Sequence, residues 1–456
     1  MSGYAEYREV NLPWLKAVPA HWEIRRNKNI FTEQKEIVGE RSADYTLLSL
    51  TLNGIIPRDM DGGGKFPESF DKYKIVKNGD MVFCLFDIDE TPRTVGLSGY
   101  NGMLTGAYTI MRVSNINARF IYYYYLALDN GKMLRPLYTG LRKTININTF
   151  QSTKVPVPPR EEQDQIVRFL DWKVSNINKL INIKKNMIAL LENRKKSIIN
   201  GVLAGGASNA VCKESVIEGL LTIPTTWDER PLKFYASSND ESLSSKTPSN
   251  YKFNYIDIST TGFRKLKKEP VFTTFEEAPS RARRIVREGD TILSTVRTYL
   301  KAILYIDNTK DGNVVSTGFA VLRPKDGVYP PLLSYALSCD YFINAVIRNS
   351  VGVSYPAIND KKLLSLKLAL PKSYDEQVKV YEQIMALTES TDITIKYLQD
   401  MVNGLQDLKN RLVADTVTGK IDVRSIEIPE YEFVDEDNDN VDENLEQGAD
   451  EPPEEE

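Results

Sequence analysis

The sequence holds one histidine, His21, and three cysteines, Cys84, Cys212 and Cys339, in 456 residues. Zinc and related metals need His, Cys or carboxylate at short, repeated spacing, and no such cluster is spelled out. Three widely separated cysteines do not make a disulfide framework, so a reducing cytoplasm is the expected compartment. No leader pattern opens the sequence. The longest apolar run, Phe120 to Leu128, is too short to cross a bilayer and contains four tyrosines; no membrane partner is expected.

Catalytic motifs are missing as well. Asp61-Gly62-Gly63-Gly64-Lys65 lacks the spacing of a phosphate loop and reads as a turn. No Gly-x-Ser-x-Gly elbow is present. Neither Val157-Pro158-Pro159-Arg160 nor Tyr329-Pro330-Pro331-Leu332 is the Asn/Asp-Pro-Pro-Tyr/Phe string of enzymes that methylate DNA amino groups. Asp87-Ile88-Asp89-Glu90 reads as a polar loop, not a cation site. His21 has no sequence partner for catalysis. The chain is therefore expected to bind no cofactor and to catalyse nothing alone.

The net charge of −4 conceals a split, because residues 427–456 hold fifteen Asp or Glu and no Lys or Arg. The other residues keep 47 acidic against 58 basic groups, about +11 over 1–426. Such an excess favours an anionic partner such as nucleic acid; plain solubility accounts for it equally well. The tail reads as disordered.

What is present is a duplication. Val18-Pro19-Ala20-His21-Trp22-Glu23 returns as Ile223-Pro224-Thr225-Thr226-Trp227-Asp228, and Arg25 and Lys28 return as Arg230 and Lys233, all 205 positions on. Tyr73-Lys74-Ile75-Val76-Lys77-Asn78-Gly79-Asp80 returns as Arg283-Arg284-Ile285-Val286-Arg287-Glu288-Gly289-Asp290. Pro159 and Glu162-Gln163 return as Pro371 and Glu376-Gln377. Order is kept throughout while the offset drifts, as loop insertions would cause.

Each copy begins as mixed α/β. Runs rich in aromatic and β-branched residues predict strands at Tyr45 to Leu52, Asp80 to Phe86 and Thr105 to Val113, and at Tyr255 to Ile258, Asp290 to Val296 and Thr317 to Leu322. The Gly-Asp pairs look like turns entering strands. Each copy ends in a proline-free stretch of roughly 40 residues with apolar residues every three or four positions. The first seam includes Ile166, Leu170, Ile177, Leu191 and Ile198; the second includes Ile395, Leu398, Val402, Leu405 and Leu412. A helix of that length spans roughly 60 Å, and one apolar stripe along it needs a partner. The duplicate is the natural one, and an antiparallel pair with a pseudo-two-fold axis is the simplest arrangement.

Polar and basic loops mixed with aromatics suit DNA, where Lys and Arg hold phosphates and Arg, Asn and Gln read base edges. The candidates are Arg93, Thr94, Arg142, Lys143 and Thr144 in the first copy. In the second they are Arg284, Arg297, Tyr299, Lys301, Ser354 and Tyr355. For any one stretch a solvated basic loop is the alternative; their occurrence at matching places in both copies favours reading.

These features together resemble the specificity subunit of type I restriction-modification systems. The resemblance rests on Trp14 to Glu23 and its counterpart Lys213 to Trp227. It rests also on Val155-Pro156-Val157-Pro158-Pro159 running into Glu162-Gln163, on Leu370-Pro371 leading to Glu376-Gln377, and on Val417-Thr418-Gly419-Lys420-Ile421-Asp422. It covers about residues 4–424. The second copy departs from the family's simpler spacing at Ser373-Tyr374-Asp375, and the acidic tail is not a family feature.

The resemblance implies an α+β chain of two mixed α/β target recognition domains joined by two long antiparallel coiled-coil helices. It places an arm and the first recognition domain at 1–157 and the first spacer helix at 158–205. A linker and the second recognition domain follow at 206–370, the second spacer helix at 371–420 and an acidic tail at 421–456. Each domain would read half of a split, asymmetric double-stranded DNA site. The helix pair, with the seam residues named above as docking positions, would set the spacer and dock two modification subunits carrying S-adenosylmethionine. Restriction subunits using ATP and Mg would complete the complex. A coiled-coil scaffold binding only proteins, and an independent nuclease-methylase, are the competing readings.

Overall fold

The computed structural model describes residues 3–58, 67, 69–138, 143–205, 211–353 and 355–435. The chain forms two compact units, residues 1–187 with 398–456, and residues 188–397. Two helices of 44 residues, Arg160–Leu203 and Tyr374–Val417, each give one part to each unit. The fold is α+β with an internal duplication, as the repeated motifs imply.

In the first unit a four-stranded antiparallel sheet runs in the order Phe31–Gln34, Thr109–Val113, Met81–Phe83, Val95–Leu97. In the second unit Ala236–Ser238, Phe319–Pro324, Thr291–Ser294 and Ile303–Tyr305 repeat that order. The opening strand of each copy pairs with the strand before its long helix, Glu23–Arg26 with Lys154–Val157 and Trp227–Pro231 with Lys367–Pro371. The residues of these strands are apolar on the inward positions, and in the first unit Phe83 meets Phe31 and Tyr125 edge to face and Phe150 at a tilt in the core.

The repeated motifs are the joints of this frame. Gly79 and Gly289 take φ of 88° and 90°, the left-handed turn that glycine adopts without strain. The aspartates that follow are buried. Asp80 accepts the Lys77 backbone N–H and meets Arg112 on the next strand; Asp290 accepts that of Arg287 and meets Arg323. Glu162 accepts the Trp22 indole N–H at 2.9 Å, and Glu376 accepts that of Trp227 at 3.2 Å. Gln163 bonds the Pro158 carbonyl and the Asn117 N–H, as Gln377 bonds the Pro371 carbonyl and the Tyr329 N–H. The Glu-Gln pair thus locks the start of each helix to the sheet domain before it. His21 serves the same lock, with Nε2 2.7 Å from the buried Glu162 carboxylate.

Within each unit the two helix segments run antiparallel. In the first, Lys409 donates to Asn178, and Val413 and Val417 share a core with Ile166, Phe169 and Leu170. In the second, Lys195 meets Asp392 at 2.5 Å, and Ile199, Val202 and Leu203 share a core with Ile384. The glycine after each helix lies on a motif proline of the unit it reaches: an added Cβ would lie 2.4 Å from Pro224 Cδ at Gly205 and 2.4 Å from Pro19 Cδ at Gly419.

Two expectations are corrected here. The seam residues Ile166, Leu170, Ile177, Leu398 and Val402 are buried, and Leu191, Ile198, Ile395, Leu405 and Leu412 are partly so. Ile166 and Leu170 lie in the core of the first unit and have no surface left for another subunit, whereas the partly buried positions keep some. Apolar side chains of the long helices that face solvent include Leu180, Ile183, Met187 and Leu190 on the first and Leu387, Ile393, Tyr397 and Leu408 on the second. The tail also differs from one disordered segment over 421–456. Gln165 donates to the Val423 and Ile426 carbonyls, Ser175 to that of Glu432, Asn178 to that of Val434 and Asn182 to that of Asp435. Residues up to 435 are therefore strapped along the first helix, and the rest of the tail lies outside the described residues.

Candidate nucleic-acid interface

In the second unit the strand Thr291–Ser294 runs out into a loop pinned from both sides. Thr295 takes the Gly318 carbonyl through its N–H and hydroxyl, and its own carbonyl accepts the Ile358 N–H. The Arg297 N–H reaches the Pro356 carbonyl, and the Thr298 hydroxyl lies 2.8 Å from that of Ser350. Isolated bridges join Val296 and Val351 to Ala357. Two loops distant in sequence thereby become one rigid edge. Arg297 and Lys301 both hold left-handed backbone, with φ of 53° each. Non-glycine residues there cost of order 1–2 kcal/mol, and surrounding structure must enforce the conformation.

The edge is unusual in what it shows to water. Val351, Val353, Tyr355, Tyr299 and Leu300 are exposed, beside exposed Lys301. The Arg297 guanidinium lies 4.7 Å from the Tyr355 ring centroid, which holds it in place without neutralising it. Arg297 makes no ion pair among the described residues. A fixed, unpaired guanidinium next to exposed aromatic rings can read a guanine edge while Lys301 holds phosphate. The structure therefore brings Arg297, Tyr299, Lys301 and Tyr355 together. Ser354 lies outside the described residues.

Arg284 does not belong to this edge. Its side chain is mostly buried, donates to the Phe319 carbonyl and lies 3.8 Å from Asp360. Burial pulls its pKa down, with Asp360 opposing. It is a strut inside the domain.

The first unit corrects two more candidates. Asp129 is a buried carboxylate, and Arg93 and Thr94 satisfy it: Arg93 at 3.0 Å, the Thr94 N–H at 3.0 Å and the Thr94 hydroxyl at 2.7 Å, with Lys132 alongside. Thr94 is buried outright, so neither residue is available to DNA. Lys143 is held 3.2 Å from Glu90 and 3.6 Å from Asp89, and the bond to Glu90 raises its pKa. Asp89 also takes Arg135 and the Tyr138 hydroxyl. Thr144 is exposed next to this network, and Arg142 lies outside the described residues.

The sequence candidates of the first copy, Arg93 and Thr94, leave out Asp87, which reads there only as part of a polar loop. The backbone bonds show the true correspondence. Cys84 N–H to Thr94 O, Ile145 N–H to Leu85 O and Glu90 N–H to Asp87 O repeat as Ser294 to Ala302, Ile358 to Thr295 and Leu300 to Arg297. Asp87 therefore stands where Arg297 stands, also left-handed with φ of 45°. The 210-residue offset of the Gly-Asp pairs, carried eight residues further, was the available signal.

A family model described as the type I restriction modification DNA specificity domain matches residues 64–193 and 225–400. The chain is 23% identical over 443 residues to the type I restriction enzyme MjaVIII specificity subunit of Methanocaldococcus jannaschii, across 92% of this chain and 98% of that protein. It is 26% identical over 138 residues to the type I restriction enzyme HindI specificity subunit of Haemophilus influenzae, 29% of each. A solved chain from work on complex assembly and conformational transition of the type I R-M system is 14% identical, with a TM-score of 0.52 across 89% of this chain and 99% of that one. That likeness is one of fold.

Proposed function

The chain belongs to the family of type I restriction modification DNA specificity domains, and from that premise we propose that it is the sequence-reading subunit of a type I restriction-modification complex. Each sheet domain reads one half of a bipartite, asymmetric double-stranded DNA site. The observation that carries this reading is the pinned edge of the second unit, where Arg297, with no ion pair among the described residues, sits with Tyr299, Lys301 and Tyr355 on two mutually bonded loops. Base reading needs side chains held in place before DNA arrives, and both loops have that support.

The long helices set the unread spacer and dock two modification subunits. Exposed apolar side chains of the helices, among them Leu180, Ile183, Met187, Leu190, Ile393 and Tyr397, offer surface for that docking. The chain itself catalyses nothing: adenine methylation with S-adenosylmethionine belongs to the modification subunits, and ATP- and Mg-dependent cleavage to restriction subunits. The complex works in the cytoplasm. The test is sequencing of methylated adenines in cells that carry the modification subunits with or without this chain. A bipartite motif should appear only with the chain, and an unchanged motif in its absence overturns the proposal.

A further inference from the structure

The two reading edges differ in charge at one structurally equivalent position. Asp87 and Arg297 leave the backbone at the same point of the same hydrogen-bonded loop, in the same left-handed conformation. Neither is spent on internal structure. Asp89 and Glu90 are engaged by Arg135, Tyr138 and Lys143. Among the described residues the Asp87 carboxylate takes no hydrogen bond or ion pair, and neither does the Arg297 guanidinium, which lies over the Tyr355 ring. Both keep non-glycine side chains where glycine would relieve the backbone.

In the DNA major groove the two charges seek opposite partners. A guanidinium donates to guanine O6 and N7; a carboxylate accepts from an exocyclic amino group, above all cytosine N4. A carboxylate near phosphates also carries a repulsive cost that a spectator position would not need. We propose that the two domains read with opposite hydrogen-bond polarity. Arg297 donates to a guanine in the half-site of the second domain, and Asp87 accepts from a base amino group in the half-site of the first. This rests on the DNA-reading function proposed above and adds which base chemistry each edge selects.

Glycine at either position removes the side chain and suits the backbone, so Asp87→Gly and Arg297→Gly keep the loop intact. The full complex with its modification subunits is titrated with duplexes bearing the methylated motif. In one series 7-deazaguanine removes single N7 acceptors. In the other, purine for adenine or pyrimidin-2-one for cytosine removes single amino donors. One 7-deazaguanine in one half-site should weaken the wild-type complex, by less than the about 5- to 150-fold that a whole bidentate pair supplies because O6 remains, and leave Arg297→Gly indifferent. One amino-deleted base in the other half-site should weaken the wild type and leave Asp87→Gly indifferent. The inference falls if Asp87→Gly keeps full sensitivity to every amino-deleted base, or tightens binding to all sequences alike, or if Arg297→Gly keeps its sensitivity to 7-deazaguanine. A wild-type complex that binds all duplexes equally would instead defeat the DNA-reading function itself.

Discussion

Replacing Glu162 by leucine should destabilise the first unit far more than the same change at Glu376 destabilises the second. Glu162 is buried and holds three groups: the Tyr4 hydroxyl at 2.5 Å, His21 Nε2 at 2.7 Å and the Trp22 indole N–H at 2.9 Å. Tyr4 and Trp22 are themselves buried, so removing the carboxylate strands two donors that water cannot reach. Each stranded buried donor costs about 1–3 kcal/mol, giving roughly 2–6 kcal/mol; His21 is half-exposed and rehydrates. Glu376 is half-exposed and serves the Thr226 hydroxyl and the Trp227 indole N–H, of which only Trp227 is buried. Its loss should cost about 1–3 kcal/mol. Urea unfolding followed by hydrogen exchange reports peptides of 1–187 and 188–397 separately. Equal losses at the two glutamates would refute the account of the lock.

Gly419→Ala should lower the melting temperature, because φ of 76° and an added Cβ 2.4 Å from Pro19 Cδ both oppose it, at about 2 kcal/mol or more. Gly404→Ala, in the helix interior with nothing within 4 Å of the new Cβ, should raise stability by about 0.5–1 kcal/mol. Burial pushes the Cys84 thiol up to about 11 and raises Cys339 as well, so at pH 8 a maleimide should label exposed Cys212 and spare the other two until the fold opens; mass spectrometry of labelled peptides decides. Four residues inserted after Ser197, with four more by Ser390 to preserve the register of Lys195 and Asp392, add about 6 Å of helix at 1.5 Å per residue. At about 3.4 Å per base pair the methylated motif should gain about two unread positions, and an unchanged spacer would refute a helical ruler.

The duplication, the long helices and the sheet strands were legible because periodicity and glycine turns are local properties of sequence. The strand expected at Asp80 to Phe86 contains the observed Met81–Phe83, and that at Asp290 to Val296 contains Thr291–Ser294. What sequence could not show was burial by distant partners. Arg93 looks like a loop cation until helix Ala118–Asn130 brings Asp129 against it, 36 positions away. Arg284 looks equally free until Phe319 and Asp360 close over it. The strap over 423–435 was invisible for another reason. Gln165, Ser175, Asn178 and Asn182 bind its backbone carbonyls, which carry no residue identity. The edge around Arg297 was the most legible part of the candidate site, since aromatic and basic residues lie together in sequence there.

Exchange of the first sheet domain for one of another specificity is the most demanding test of the frame, because its contacts sort into those that cross the boundary and those that do not. A transplant of residues 20–157 leaves Pro19, Glu162, Gln163 and Gly419 in the host. It must therefore bring an indole for Glu162, as Trp22 does, and a backbone N–H for Gln163, as Asn117 does. It must also leave space for the Gly419 turn, which lies against Pro19 and, within 3.3 Å of an added Cβ, against Trp22. Every one of these contacts lies at the domain–helix joint, and none involves the loop from Cys84 to Thr94. Joint and reading edge are thus separate demands on the sequence, and a domain that keeps the first is free to change the second. The hybrid should fold, dock the same modification subunits and methylate a motif altered in one half only, as sequencing of methylated adenines would show. A motif altered in both halves would mean that the two edges are read jointly, and the independence of the two copies would have to be abandoned.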